Sequence, residues 1–394
     1  VAILAQACLF PIMALEGRPI RWGILGCGNI SRDFVSAASG LDSKESSVVA
    51  CAARSAQSAA AFAEQFKGTN GCAGMQSYGS YDDLCQDGKV DVVYIGTLAD
   101  THEELCLKAI SAGKHVLVEK PITLDAAGAR RVVAAAEAKG VFLMEGMWTR
   151  CFPAAKKARE LLQGGAIGDV IAITADFGWP AVDDPEGPHA RLFSPKSGGA
   201  SMDIAMYPLG HVLLGSGGTR PSEVSAGGVA TGPAGARVDW SAAATLTGFA
   251  PPAHPGLTAS VLVTLRASTP EEAVYTGTKG TLRIHGSAHT PTRLTLTTYA
   301  SRTESAEQAF DFPLPATPEG AILPWNYPNS QGFLYEASAV VQALRKGLKE
   351  CADWTHAESI ATMELVEEMR TQVLAADARG GKRPRSDVGQ RGVQ

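Results

Sequence analysis

Three stretches of this chain combine residue types and spacing that could do chemistry. The first is Lys114 to Pro121, K-H-V-L-V-E-K-P, a β-branched run ending on Glu119-Lys120-Pro121. Proline cannot donate to a ladder, so the strand stops there. Ligands of doubly wound sheets bind at the carboxyl ends of strands, which sets Lys120 at the mouth of a site. The second is Ser201 to Leu214, read as one helix, with Asp203, Tyr207 and His211 at i, i+4 and i+8. That spacing lines three polar groups along one face. A lone tyrosine on a helix is ordinarily an edge-of-core residue; a stripe of three is a candidate site face. The third is Gly26-Cys27-Gly28-Asn29-Ile30-Ser31, a G-x-G-x-x-S turn between the strand Ile20 to Leu25 and a helical pattern carrying Phe34 and Val35. Gly26 permits the tight turn. Gly28, with Asn29 and Ile30 behind it, lets backbone amides at a helix N-terminus approach a pyrophosphate. Ser31, in place of a third glycine, is small enough for close packing.

Those residues need elements to hold them. A second strand, Ser47 to Ala53, ends in Arg54-Ser55. An acid here would bind the ribose 2′-hydroxyl of NAD; Arg54 can instead stack on adenine and pair with a 2′-phosphate, with Ser55 adding a hydroxyl, which favours NADP. The strand Val90 to Gly96 leads into a loop, Thr97 to His102, where His102 is either a helix-start residue or a cofactor contact. After the Lys120 strand come a helix, Leu124 to Lys139, and the strand Val141 to Met144. Just past it lie Trp148, Arg150 and Phe152. An aromatic wall with an arginine suits a sugar ring or cyclic diol; a domain hinge would use the same residues for packing. Repeated strand–helix alternation implies an α/β unit, residues 19–150, with a doubly wound parallel sheet. Beyond a helix at 154–164 the grammar changes. Seven strands between Val170 and Tyr299, parted by Gly, Pro and Thr, predict a second, α+β unit over 151–376 with an open, mainly antiparallel sheet. Trp179 to Ser197 reads as a loop that could cover a site, and two helices, Phe333 to Lys346 and His356 to Ala376, close the chain.

Composition narrows the partners. The 394 residues carry a formal charge of −5, with 45% hydrophobic and 19% charged. Nothing offers nucleic acid an electrostatic footprint. A small basic cluster, Arg379 to Arg385, belongs to a polar tail, 377–394. The eight cysteines, at 8, 27, 51, 72, 85, 106, 151 and 351, include no C-x-x-C pair and no metal-ligand spacing. They read as free thiols of a reducing, cytoplasmic compartment, with no metal expected. Residues 1–18 are apolar at first but too short to span a bilayer; an N-terminal arm and an organelle-targeting remnant are both open.

Taken together the motifs resemble the glucose–fructose oxidoreductase/inositol dehydrogenase (Gfo/Idh/MocA) family over about residues 19 to 376. The carriers are GCGNIS (26–31), THEELCLKAISAGKHVLVEKP (101–121), SGGASMDIAMYPLGH (197–211) and QGFLYEASAVVQAL (331–344). MEGMWTRCFP (144–153) and Tyr207 look most like the branch with dimeric dihydrodiol dehydrogenase and NADP-dependent D-xylose dehydrogenase. The resemblance implies a Rossmann domain binding NADP through Gly26, Gly28, Asn29, Ile30, Arg54, Ser55, Thr97, His102, Glu119 and Lys120. It implies a catalytic pair, Lys120 and Tyr207, and a homodimer formed through the second sheet. Many family members carry Asp-x-x-x-His-x-x-x-Asp on the catalytic helix, where this chain has Asp203, Tyr207 and His211. Many also have Pro-Asn before the loop histidine, where this chain has Ala99-Asp100. An ammonium beside a phenol favours the phenolate, so Lys120 is expected to lower the Tyr207 pKa and make it a base. Trp148, Arg150, Asp203 and His211 are the expected substrate contacts. The expected reaction is hydride transfer to NADP from an aldose of D-xylose type, giving a lactone. Oxidation of trans-dihydrodiols is the alternative, and a non-catalytic NADP sensor the reading from another class.

Overall fold

The computed structural model describes residues 15, 17–233 and 235–380. Most of the expected N-terminal arm and the end of the polar tail lie outside the described residues. The first sheet contains β1 (Ile20–Leu25), β2 (Ser46–Ala52), β3 (Gln76–Tyr78), β4 (Val92–Ile95), β5 (His115–Glu119) and β6 (Leu143–Gly146). They run parallel in the order β3-β2-β1-β4-β5-β6. Val92, Val93, Tyr94 and Ile95 are all buried, as the central strand of a sheet covered on both faces must be. The strand order reverses between β1 and β4, and that switch point opens a crevice at the carboxyl ends. The helices follow local chemistry. In Ala126–Lys139, the Asp125 carboxylate accepts the Gly128 N–H at 2.6 Å, and Gly140 ends the helix in the left-handed region.

The second sheet contains β7 (Val170–Gly178), β8 (Pro221–Thr231), β9 (Val238–Phe249), β10 (Thr258–Thr264), β11 (Ala273–Gly277), β12 (Gly280–Ile284), β13 (Arg293–Tyr299) and β14 (Ser305–Asp311). Their order is β14-β13-β12-β11-β7-β10-β9-β8. Every pairing is antiparallel except β7 with β10. The eighth strand was not expected. Six of the seven β14 residues are exposed, so this edge strand shows no apolar alternation to read. Among the described residues no helix is long and apolar enough to cross a membrane.

After the second sheet the chain returns to the first. Helix Phe333–Arg345 packs on helix Asn29–Ala38 through Phe333 and Phe34, whose ring stacks on Tyr94 at 3.9 Å. The preceding segment is fastened to the same helix by buried Asp33. Its carboxylate accepts the N–H groups of Asn326 (2.8 Å) and Tyr327 (3.0 Å) and the Ser330 hydroxyl (2.8 Å).

Candidate active site

At the glycine turn, Gly26 has φ 94°, and a Cβ there would lie 2.7 Å from Thr97 Cγ2. Only glycine closes this turn against the end of β4. A Cβ on Gly28 would meet nothing within 4 Å. That open space faces the N-terminus of helix Asn29–Ala38, which has no side-chain cap. Uncapped amides opening on free space suit a pyrophosphate, so the residues present fit a dinucleotide. Ser31 is buried where a Cβ on Gly96 would lie 2.3 Å from its Oγ, the close helix–strand approach that a small residue permits. Arg54 is exposed at the end of β2. Ser55 is occupied otherwise than expected. It caps helix Ala56–Gln65, accepting the Ser58 N–H at 3.1 Å and donating to Ser58 Oγ at 2.8 Å.

Two of the expected cofactor contacts sit beneath the site. His102 is buried, with Nδ1 2.8 Å from the Pro121 carbonyl and Nε2 3.2 Å from that of Thr97. Burial holds its pKa down, against the carbonyls that favour the charged ring. The enclosed imidazole lies between the β4 loop and the residue after Lys120, packed beneath the site rather than set out toward a cofactor, and in its neutral form its one N–H donates to only one of the two carbonyls. Thr97, half-buried, accepts the Thr101 hydroxyl at 2.7 Å. Glu119 points inward and accepts the Tyr94 hydroxyl at 2.7 Å. Burial raises its pKa, opposed by Tyr94 and Lys120. Behind it Glu336 is fully buried with neither carboxyl oxygen hydrogen-bonded, and burial, then the charge of Glu119, pushes its pKa well up.

Lys120 and Tyr207, 87 residues apart in sequence, come together. The Lys120 ammonium donates to the Asp203 carbonyl at 2.9 Å and lies 5.3 Å from the Tyr207 ring centroid. The expected lowering of the Tyr207 pKa does not occur. The phenol is only 7% exposed, and burial, then the negative charge of Glu119, raises its pKa well above the ordinary value. Asp203 and Glu336 add to that, while the Trp148 indole N–H opposes it. Lys120 sits over the ring face and is committed to a carbonyl, so its charge does not dominate at the hydroxyl. This tyrosine carries its proton.

The stripe does not survive as a stripe. The predicted single helix is two, Ala200–Ile204 and Met206–Gly215, joined at Ala205. Asp203 turns to Arg191, with Oδ1 2.6 Å from Nη1. Burial would raise the Asp203 pKa, but Lys120 and Arg191 hold it below the ordinary value. His211 is enclosed, with Nδ1 2.9 Å from the Tyr275 hydroxyl and Nε2 3.0 Å from the Ala288 carbonyl. It is a packing residue joining the helix to the second sheet, not a substrate contact. Arg150 is likewise displaced from its expected role. It is 4% exposed and donates to Glu358 at 2.8 Å and the Gly210 carbonyl at 3.1 Å. Its Nη groups are taken by these partners and the side chain is enclosed, which turns it away from the substrate side, although its buried Nε–H has no partner. Trp148 stacks on Phe333 at 4.3 Å, and its buried indole N–H faces Tyr207 without a hydrogen bond of ordinary geometry.

Other residues complete the enclosure. His289 stacks on Phe177 at 4.7 Å and lies 5.5 Å from the Tyr207 ring, with its Nδ1 bonded to Glu271. Arg191 comes from the loop expected to cover a site. Tyr327, on the segment fastened by Asp33, is in electrostatic reach of Arg191, Glu119 and Asp203. His289 and Tyr327 lie on loops without periodicity, so nothing in their local sequence marks them. The arrangement offers an ammonium, a protonated phenol, an ion pair and an aromatic wall beside a dinucleotide turn, the groups an alcohol–carbonyl interconversion requires.

Comparison with known proteins agrees with this geometry. Residues 20–147 match the Gfo/Idh/MocA oxidoreductase family with its NAD-binding Rossmann fold, and residues 155–287 match the Gfo/Idh/MocA C-terminal domain. The chain is 34% identical over 357 residues to the trans-1,2-dihydrobenzene-1,2-diol dehydrogenase of Danio rerio, covering 90% of this chain and 97% of that one. With the Homo sapiens protein of the same name, identity is 33% over 357 residues, with 90% and 97% covered. Among solved structures it is similar to a 3-ketoreductase from Actinomadura kijaniata in complex with NADP and TDP-benzene. The TM-score is 0.69 at 25% identity, over 90% of this chain and 98% of that one. A levoglucosan dehydrogenase shares the fold, with a TM-score of 0.74 at 20% identity over 92% and 98%. Matched in both halves and by full-length relatives, this chain belongs to the Gfo/Idh/MocA family of oxidoreductases.

Proposed function

We infer that this oxidoreductase is an NADP-dependent dehydrogenase of cyclic diols, with trans-dihydrodiols of aromatic hydrocarbons as first substrates and aldoses such as D-xylose as second. The observation that carries the reading is the Lys120 ammonium over the Tyr207 ring, beside the aromatic wall of Trp148, Phe177 and His289. The names of the curated relatives support the dihydrodiol. The Arg191–Asp203 pair supports a polyhydroxylated ring such as the aldose. NADP held at the Gly26–Gly28 turn would supply the hydride acceptor for the carbinol carbon. Lys120 holds the substrate oxygen and stabilises negative charge developing on it. Tyr207 exchanges the hydroxyl proton, and the aromatic side chains face the ring and exclude water. Arg54 supports NADP over NAD through the 2′-phosphate, and the NADP-bound ketoreductase supports the same choice. Pairing of two copies through the open face of the second sheet and a cytoplasmic location belong to the same proposal.

Tyr207→Phe should cut kcat by roughly 10²- to 10⁴-fold while leaving NADP affinity intact. Equal turnover would remove Tyr207 from the mechanism. Assaying dihydrodiols and aldoses with both cofactors ranks the substrates, and NADP binding without turnover of any would favour a sensor. Arg54→Asp should move preference toward NAD; an unchanged preference would mean that the 2′-phosphate is read elsewhere.

A further inference from the structure

A histidine and a glutamate outside the predicted motifs meet on the aromatic side of the site. His289 lies between β12 and β13, its ring stacked on Phe177 at 4.7 Å. That ring is 5.5 Å from the Tyr207 ring and 5.9 Å from the Trp148 ring. Its Nδ1 is bonded to Glu271 Oε1, the oxygen that also accepts the His289 backbone N–H at 3.3 Å. The backbone around the pair is tied down. The Ala288 N–H donates to the Glu271 carbonyl at 2.9 Å, and the His289 carbonyl accepts the Thr149 hydroxyl. Glu271 has φ 55°, the left-handed region that side chains disfavour. Asp176 on β7 holds it there, accepting the N–H groups of Glu271 at 2.7 Å and Glu272 at 3.2 Å. A strained residue fixed by its neighbours, with its carboxylate on an imidazole beside Tyr207, is a built arrangement.

We propose that His289, oriented by Glu271, is the proton relay between Tyr207 and solvent, a role that rests on the dehydrogenase reading above. A carboxylate accepts and cannot donate, so Nδ1 carries the ring proton and Nε2 keeps its lone pair. Nε2 makes no hydrogen bond among the described residues. Tyr207 is buried, and Lys120 is committed to the Asp203 carbonyl, whereas the His289 ring is partly exposed. Other titratable groups on the surrounding elements have bonds of their own. Asp176 holds the Glu271 and Glu272 amides, Arg150 pairs with Glu358, and His211 meets Tyr275. For oxidation, the Tyr207 O–H bond breaks and its proton passes to Nε2, directly or across one bridging water. The imidazolium, steadied by Glu271, then gives that proton to solvent, and the phenolate left behind takes the proton of the substrate hydroxyl. In reduction the order reverses: Tyr207 gives its proton to the substrate oxygen, and His289 replaces it with one taken from water. The relay restores Tyr207 between turnovers and moves protons only.

The test has an arm that needs no turnover. Nitrogen-15 NMR of the histidine-labelled protein without cofactor should show His289 as the Nδ1–H tautomer, its signal assigned by its loss in the His289 variants. Glu271→Gln should weaken that preference. In the second arm, His289→Phe keeps a ring against Phe177 and should lower kcat about tenfold or more with the KM for NADP unchanged. Proton exchange then limits turnover, so the solvent deuterium isotope effect on kcat should rise. His289→Ala should regain turnover when imidazole is added. An Nε2–H tautomer in the wild type, or undiminished kcat in His289→Phe, would overturn the proposal. So would a loss that imidazole does not restore and that leaves the isotope effect unchanged, the mark of a packing residue. A wild type that turns over no diol or aldose would instead sink the dehydrogenase reading, and the relay with it.

Discussion

Tyr207 keeps its proton because its hydroxyl is buried among Glu119, Asp203 and Glu336, while the nearest ammonium lies over the ring face. A raised pKa has a definite sign in catalysis. The protonated phenol can donate across the neutral range, so carbonyl reduction should hold steady there and fall only as pH rises through the raised pKa. Alcohol oxidation needs the proton gone and should climb with pH over the same interval. Profiles of kcat in both directions check this; oxidation that is flat from about pH 7 to 10 would mean another group accepts the proton. Arg150 makes the opposite case, a polar residue close to the site but turned away from it. Breaking its buried pair with Glu358 should destabilise the protein by about 3–5 kcal/mol, read from the denaturation midpoint of Arg150→Ala. A raised substrate KM at unchanged stability would return Arg150 to the substrate side.

At the scale of elements, a loop and a helix from opposite ends of the chain share one anchor. The segment from Ile322 to Ser330 has no regular structure until its last residue, yet Asp33 on the helix that follows the glycine turn accepts the N–H groups of Asn326 and Tyr327 and the Asn326 side-chain amide, and Ser36 on the same helix accepts that of Ile322. Arg32 adds a bond to the Pro324 carbonyl at 2.7 Å. Removing the carboxylate strands several donors, each worth about 1–3 kcal/mol when unsatisfied. Asp33→Ala should therefore raise hydrogen exchange over residues 322–330 and weaken cofactor and substrate binding together, because Tyr327 rides on that segment. Asp33→Asn, with one acceptor left, should lose less. Exchange confined to the helix would show that the segment is held by other contacts. The expected stripe meets unlike partners along its length: Asp203 faces Arg191 while His211 packs against Tyr275.

For the whole molecule, the second sheet leaves one face open, carrying Leu262 paired with Ala243, and on the same face, two residues out of that register, Val229 and Thr174. A broad sheet face of small, hydroxyl and aliphatic residues suits pairing with a second copy. Leu262, 40% exposed, is a central test of the proposed pairing: if two copies join through this face, Leu262→Asp should give a monomer in sedimentation where the wild type gives a dimer, and an unchanged mass would place any interface elsewhere. Much of this molecule is legible along the chain. The parallel sheet follows from buried β-branched runs alternating with helices, and the phosphate seat follows from glycines whose role is decided within six residues. Lys120 at a strand end is likewise local, since proline stops the strand beside it. What a side chain faces is not local. Arg150 and His211 look like site residues in sequence, but Glu358 and Tyr275, brought from far along the chain, claim them. His289 and Tyr327 sit in loops with no periodic signal, and only packing sets them near Tyr207. The protonation of Tyr207 is the clearest division. Its residue type and its pairing with Lys120 could be expected from sequence, whereas the burial and the surrounding carboxylates that reverse its charge preference arise only when the two sheets close on each other.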